Sequence, residues 1–177
     1  MMKLLLAASA AACLMASSAA AQDFAYAWTP AGTLTPTPAA PDFLMFAGAG
    51  DLYEIESSRL VLETTRNPEI RRFAEIMVEH HTKTSQDAAA AARRAGLTPP
   101  TPTLDAPKTA MLNALRLYGG VERDRLYLTQ QLMAHKEALS LMKTYAETGD
   151  TPQLKAAAAA TIGIVQNHLT MVERLAR

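Results

Sequence analysis

The sequence predicts an all-α protein: four long helices in a bundle, with a proline-rich crossover and a short extra helix between the second and the third. Three observations carry this. The composition favours helices, since 49% of the 177 residues are hydrophobic, largely Ala, Leu and Met, while only 6% are aromatic. Apolar residues recur with a 3.6-residue period in four separate stretches. Prolines after residue 40 fall between those stretches or in their first turns, where they stop or start a helix. A chain of this length can bury one sizeable core, so residues 42–177 are expected to form a single bundle domain.

Residues 1–21 read as a secretory signal peptide: Lys3, then an apolar run from Leu4 to Ala16, then Ala19-Ala20-Ala21 before the cut. The run is short for a permanent membrane anchor. Cys13 is the only cysteine, so the mature chain would form no disulfide. Cys13 follows three alanines in a degraded lipoprotein box, and lipidation there is the one route by which the protein would associate with a membrane. Residues 22–41 place prolines among Thr and Ala and read as a flexible linker holding Trp28, the lone tryptophan. The expected location is therefore the periplasm or cell envelope of a bacterium. The 17 basic and 17 acidic residues cancel without a basic run, which argues against a nucleic-acid partner.

The first long helix is expected from Asp42, as N-cap, to about Arg66, before Asn67-Pro68. Leu44, Met45, Gly48, Ala49, Leu52, Ile55, Leu60 and Leu62 share a broad face that includes Glu56; Glu54 points away, with Phe43 and Val61, and is held in reserve as the inward carboxylate. The second helix runs from Pro68 to Gly96, a favoured C-terminal residue, and is the clearest amphipathic stretch. Ile70, Ala74, Met77, Ala88 and Ala92 lie within roughly 40° of His81, whereas His80 sits at the stripe's edge, exposed or supporting a ligand from outside. Asp105 caps a short helix from Pro107 to about Tyr118, ended by Gly119-Gly120. The separation between the second and third long helices suits either a turn with a long arm or the long crossover of ferritin-like bundles, leaving their relative direction open.

The third long helix spans about Val121 to Glu147, and the face of His135 carries Val121, Asp124, Leu128, Gln131, Leu139 and Met142, with Tyr127 at its border. The fourth begins at Asp150 or Thr151 with Pro152 in its first turn, and Leu154, Ala157, Thr161, Ile164, Val172 and Leu175 share the face of His168. Buried polar groups need partners, each costing of order 1–3 kcal/mol if unsatisfied.

Glu56 lies 11 residues before Asn67 and His81 lies 14 after it, so in an antiparallel hairpin both sit roughly 16–21 Å from the turn. His135 and His168 also fall near mid-helix. Glu56, His81, His135 and His168 are thus candidates for one central layer, where bundles build metal sites. Three imidazoles and a carboxylate suit one divalent transition ion: zinc, copper, iron or manganese. Glu54, His80, Asp124, Tyr127 and Gln131 are the reserve or supporting groups. The Glu-x-x-His pairs of di-iron bundles are absent, because Val78, Leu132 and Val165 stand three residues before the histidines. No nucleophile motif or glycine-rich phosphate loop indicates an enzyme, and no cofactor other than a metal is suggested. The alternative is a structural or interaction bundle, as a homo-oligomer or with other proteins, whose polar core holds no metal.

The stretches GDLYEIESSRLVLE, RRFAEIMVEHHT, ERDRLYLTQQLMAHKEAL and QNHL, in that order behind a signal peptide, resemble the bacterial family called domain of unknown function 4142. The family's motif positions fall on Glu54 and Glu56, His81, Asp124 and Tyr127, His135, and His168, with His80 where the family usually has aspartate. Arg123 replaces a usual phenylalanine, and Ile162-Gly163 a Leu-Pro pair. The resemblance implies a ferritin-like four-helix bundle in the cell envelope, commonly given an outer-membrane label, and implies no established activity.

Overall fold

A computed structural model describes residues 37–177. The signal peptide, Cys13, and all but the end of the linker with Trp28 lie outside the described residues. Five helices follow one another: α1 (Ala40–Thr64), α2 (Pro68–Arg94), α3 (Ala106–Arg116), α4 (Gly120–Thr148) and α5 (Pro152–Leu175). The described residues are all-helical, and no helix among them is long and apolar enough to cross a membrane.

Local chemistry sets most boundaries. Pro68 opens α2, and the Asn67 side chain accepts from the backbone N–H of Glu69 at 2.9 Å, satisfying a donor that has no partner within the helix. At the other end Leu97 N–H reaches Ala92 C=O and Gly96 N–H reaches Arg93 C=O, both at 3.0 Å, with Gly96 at φ 75°. This is a Schellman closure, in a left-handed conformation where a side chain would be strained. Asp105 caps α3 by accepting from Lys108 N–H at 2.7 Å. One expected cap differs. Ala39, not Asp42, precedes α1, because Pro41 already supplies a preset first turn. Of the two residues expected to cap α5, Thr151 is the N-cap, while Asp150 accepts from the Tyr145 hydroxyl at 2.7 Å and the Ala40 amide at 3.2 Å, tying the start of α5 to the end of α4 and the start of α1.

The four long helices pack in the cyclic order α1, α2, α5, α4. Across α1 and α4 the hydrogen bonds join Tyr53 to Gln130, Ser58 to Tyr127 and Thr65 to Asp124, so residue numbers rise on one helix as they fall on the other. The two run antiparallel. The α1–α2 and α4–α5 hairpins are antiparallel too, which makes α2 and α4 parallel. The chain between them, carrying α3 against α1 and α4, is therefore a long crossover of the ferritin-like kind.

Apolar packing divides into two clusters. One gathers Phe43, Ala47, Ala91, Met142, Tyr145, Leu154 and Ala158; the other gathers Val61, Phe73, Met77, Leu115, Tyr127, Leu128 and Val172. On every long helix the residues between these two sets include buried polar ones: Glu54, Ser57 and Ser58 on α1, His81 and Thr84 on α2, Gln131 and His135 on α4, His168 on α5. A polar layer thus interrupts the core at mid-bundle.

The inward face of α1 corrects part of the expectation: Leu44 and Ala49 are buried as expected, but the centre of the face lies elsewhere. Phe43, Ala47, Glu54 and Val61 point into the bundle, while Met45 is 47% exposed and Leu52, Ile55, Leu60 and Leu62 flank the contact. Apolar residues surround α1 on all sides, and the polar partners on α4 decide its rotation: Tyr53, Ser57 and Ser58 must face Gln130, Gln131 and Tyr127. Val121, expected inside, is 59% exposed in the first turn of α4, where no long helix covers it.

Candidate metal centre

His81, His135 and His168 come from α2, α4 and α5, and only 4%, 1% and 1% of each is exposed. One ring nitrogen from each lies within 4.8 Å of the others. The rings meet at centroid distances of 5.3–5.6 Å, tilted or edge-on, a convergence of nitrogens and not a stack. Asp124, Tyr127 and Gln131 are buried as expected, but they serve the α1–α4 seam, through Thr65, Ser58 and Ser57 respectively.

In each histidine the second ring nitrogen is held. His81 Nδ1 bonds Asp51 Oδ1 at 2.8 Å, and Thr84 Oγ1 donates to the same oxygen at 3.0 Å. A carboxylate only accepts, so His81 Nδ1 carries the proton. His135 Nδ1 likewise donates to the Gln131 carbonyl at 2.9 Å. In neutral rings the Nε2 atoms of both then bear lone pairs, and neither finds a hydrogen-bond partner. His168 Nε2 meets His80 Nδ1 at 2.9 Å, and its Nδ1 is the unpartnered atom. Three buried nitrogens without partners, each on a ring oriented through its other nitrogen, form the arrangement that metal-ligating histidines require.

Glu56 does not join them. Its side chain is 36% exposed and pairs with Arg59 at 2.8 Å. Glu54 is the inward carboxylate, 3% exposed, with Oε1 3.6 Å from His135 Nδ1 and Oε2 unpartnered. The physical reason is the rotation of α1, which presents Phe43, Glu54 and Val61 to the core. Burial holds the His135 pKa below its ordinary value, against the opposing pull of Glu54. Burial first, then the neighbouring imidazoles, pushes His168 down to about 2. Burial opposes charge on His81 as well, but the Asp51 hydrogen bond and the charges of Asp51 and Glu54 outweigh it and raise its pKa.

Asp51 and Thr84 were not anticipated. Asp51 stands 16 residues before Asn67 and His81 stands 14 after it, so matched distance from the α1–α2 turn was the available signal. His80, by contrast, is exposed at the edge of α2, as expected, and is the partner that holds His168.

Comparison with solved structures supports the architecture. A DUF305 fragment from Deinococcus radiodurans superposes with a TM-score of 0.67 at 14% identity, covering 80% of this chain and 96% of that one. A DUF305 protein from Streptomyces coelicolor gives 0.60 at 18% identity, covering 77% and 91%. These identities speak to the fold alone. No curated protein matches significantly. The family description "Domain of unknown function (DUF4142)" matches residues 12–175, nearly the whole sequence, and the chain belongs to that family.

Proposed function

We propose that this protein is an exported, cell-envelope bundle that binds one divalent transition ion (zinc, copper, iron or manganese) through His81 Nε2, His135 Nε2 and His168 Nδ1. The observation that carries the reading is the set of three unpartnered, buried ring nitrogens on three different helices. Leaving them unsatisfied would cost of order 1–3 kcal/mol each, and a shared cation removes all three penalties at once. Glu54, buried with Oε2 unpartnered and Oε1 3.6 Å from His135 Nδ1, places a carboxylate beside the three-histidine set without being part of it. All-nitrogen donors with a carboxylate suit a borderline ion. Export rests on the signal-peptide pattern of residues 1–21.

Titration of the mature, untagged chain with Co(II), followed by its visible absorption, tests the site. One equivalent should bind with the bands of a low-coordinate nitrogen site, and His135→Ala should weaken binding by at least about a hundredfold, beyond the loss typical of an outer-shell change. A chain that binds no ion, with its helicity intact, would leave the metal-free interaction bundle. One observation favours that second reading: Leu117, Tyr118 and Val121 expose apolar surface together at the α3–α4 corner.

A further inference from the structure

The layer is closed. His81, His135 and His168 are each at most 4% exposed, apolar clusters fill the bundle above and below, and of two surface cavities of about 380 and 410 Å³ along α1, α2 and the Leu97–Thr103 crossover the second reaches Asp51, on the protonated side of His81, but none of the three rings. A hydrated ion must exchange its waters for imidazoles one at a time, and none of the three ligands offers a nitrogen at the surface for the first exchange. His80 does. It is exposed on α2, its Nδ1 lies 2.9 Å from His168 Nε2 across the α2–α5 seam, and the two rings stack with centroids 5.1 Å apart. His168 therefore touches both sides, with Nε2 toward the exposed imidazole and Nδ1 unpartnered in the layer.

We propose that His80 is the loading ligand of the site: an imidazole that captures a divalent transition ion from solvent and passes it to His168 as the α2–α5 seam opens. This rests on the metal-binding reading above. The seam suits the task because α5 packs chiefly against α4 and less extensively against α2, so a small displacement of it from α2 exposes His168. In the loaded protein His80 Nδ1 returns to accept from His168 Nε2–H, which keeps the Nδ1 lone pair on the ion. His80 thus acts on the path into the site and, once the ion is bound, orients His168.

The test compares the full mature chain with His80→Ala and His80→Gln, using Zn(II) in stopped-flow loading, chelator-driven release and equilibrium competition. The glutamine keeps an acceptor for His168 Nε2–H but is a poor ligand. If His80 loads the site, His80→Gln, which keeps the acceptor, takes up and releases Zn(II) about tenfold or more slowly while its dissociation constant stays within about threefold, since a group on the path changes both rates alike, and His80→Ala loads as slowly. Unchanged loading in both variants overturns the proposal. So does loading at the parental rate in His80→Gln beside weaker equilibrium binding in His80→Ala, which would make His80 a positioning residue only. Failure of the parent chain to bind Zn(II) at all would overturn the metal site itself, a result that the kinetic comparison cannot mimic. His80 lies at the surface, so both variants should melt with the parent.

Discussion

A glutamate that is 3% exposed, with one carboxylate oxygen unpartnered, is among the costliest features of this core. Its proximity to His135 and His81 makes sense if a cation sits among them, since the negative charge then stabilises what the imidazoles bind. Glu54→Gln, which keeps the shape and removes the charge, should weaken ion affinity by about ten- to a hundredfold. Glu56→Ala should leave it within about twofold, because Glu56 is engaged with Arg59 at the surface and such exposed pairs contribute little. Chelator competition on the two variants checks the assignment, and a larger loss for Glu56→Ala would reverse it. The histidines themselves were legible as residues: each lies in the middle of an apolar stripe, and a polar group at that position must face the core wherever its neighbours do. The carboxylate was not. Leucines lie on one side of α1 and Phe43 with Val61 on another, so periodicity on that helix had no single answer until the partners of Tyr53, Ser57 and Ser58 on α4 were known.

Elements hold the layer in register through their ends. Asn67 terminates the α1–α2 turn from which Asp51, Glu54 and His81 are all measured, and Asn67→Ala should lower stability by about 1 kcal/mol, the usual loss for an N-cap, read as a lower urea midpoint with unchanged slope. At the opposite end Asp150 links α5, α4 and α1. The Tyr145 hydroxyl hydrogen bond, helped by the amide of Ala40, holds the Asp150 carboxyl below its ordinary range, while burial and the carboxylate hold the Tyr145 phenol up at about 12. A depressed carboxylate contributes stability above its unfolded pKa, near 3.8, and loses it as pH falls through the lower folded value. Asp150→Ala should therefore melt below the parent at pH 7, and the gap should narrow as pH drops under about 4. A gap independent of pH would show that the carboxylate's charge is not what ties these ends. Helix ends were largely legible because proline, Asn67, Asp105 and Gly96 act locally. At α5 Thr151 and Asp150 were both legible as caps, but the choice between them depends on Tyr145 and Ala40, more than a hundred residues apart in the chain.

At the scale of the whole molecule, two apolar clusters supply the stability that lets a polar layer persist between them, and the long crossover makes α2 and α4 parallel so that His81 and His135 approach from across the bundle. That direction could not be read from a proline-rich segment compatible with either arrangement; it follows from the α1–α4 hydrogen bonds. An ion that binds only the folded chain stabilises it by mass action, so the layer becomes an asset once filled. The most direct measurement is elemental mass spectrometry of the mature protein purified without a histidine tag, beside His81→Ala/His135→Ala. One transition ion per chain in the parent and none in the folded variant is the result this account predicts. No ion in the parent, and no rise in melting temperature on adding zinc, copper, iron or manganese, would contradict it and leave the three histidines as a hydrogen-bonded core.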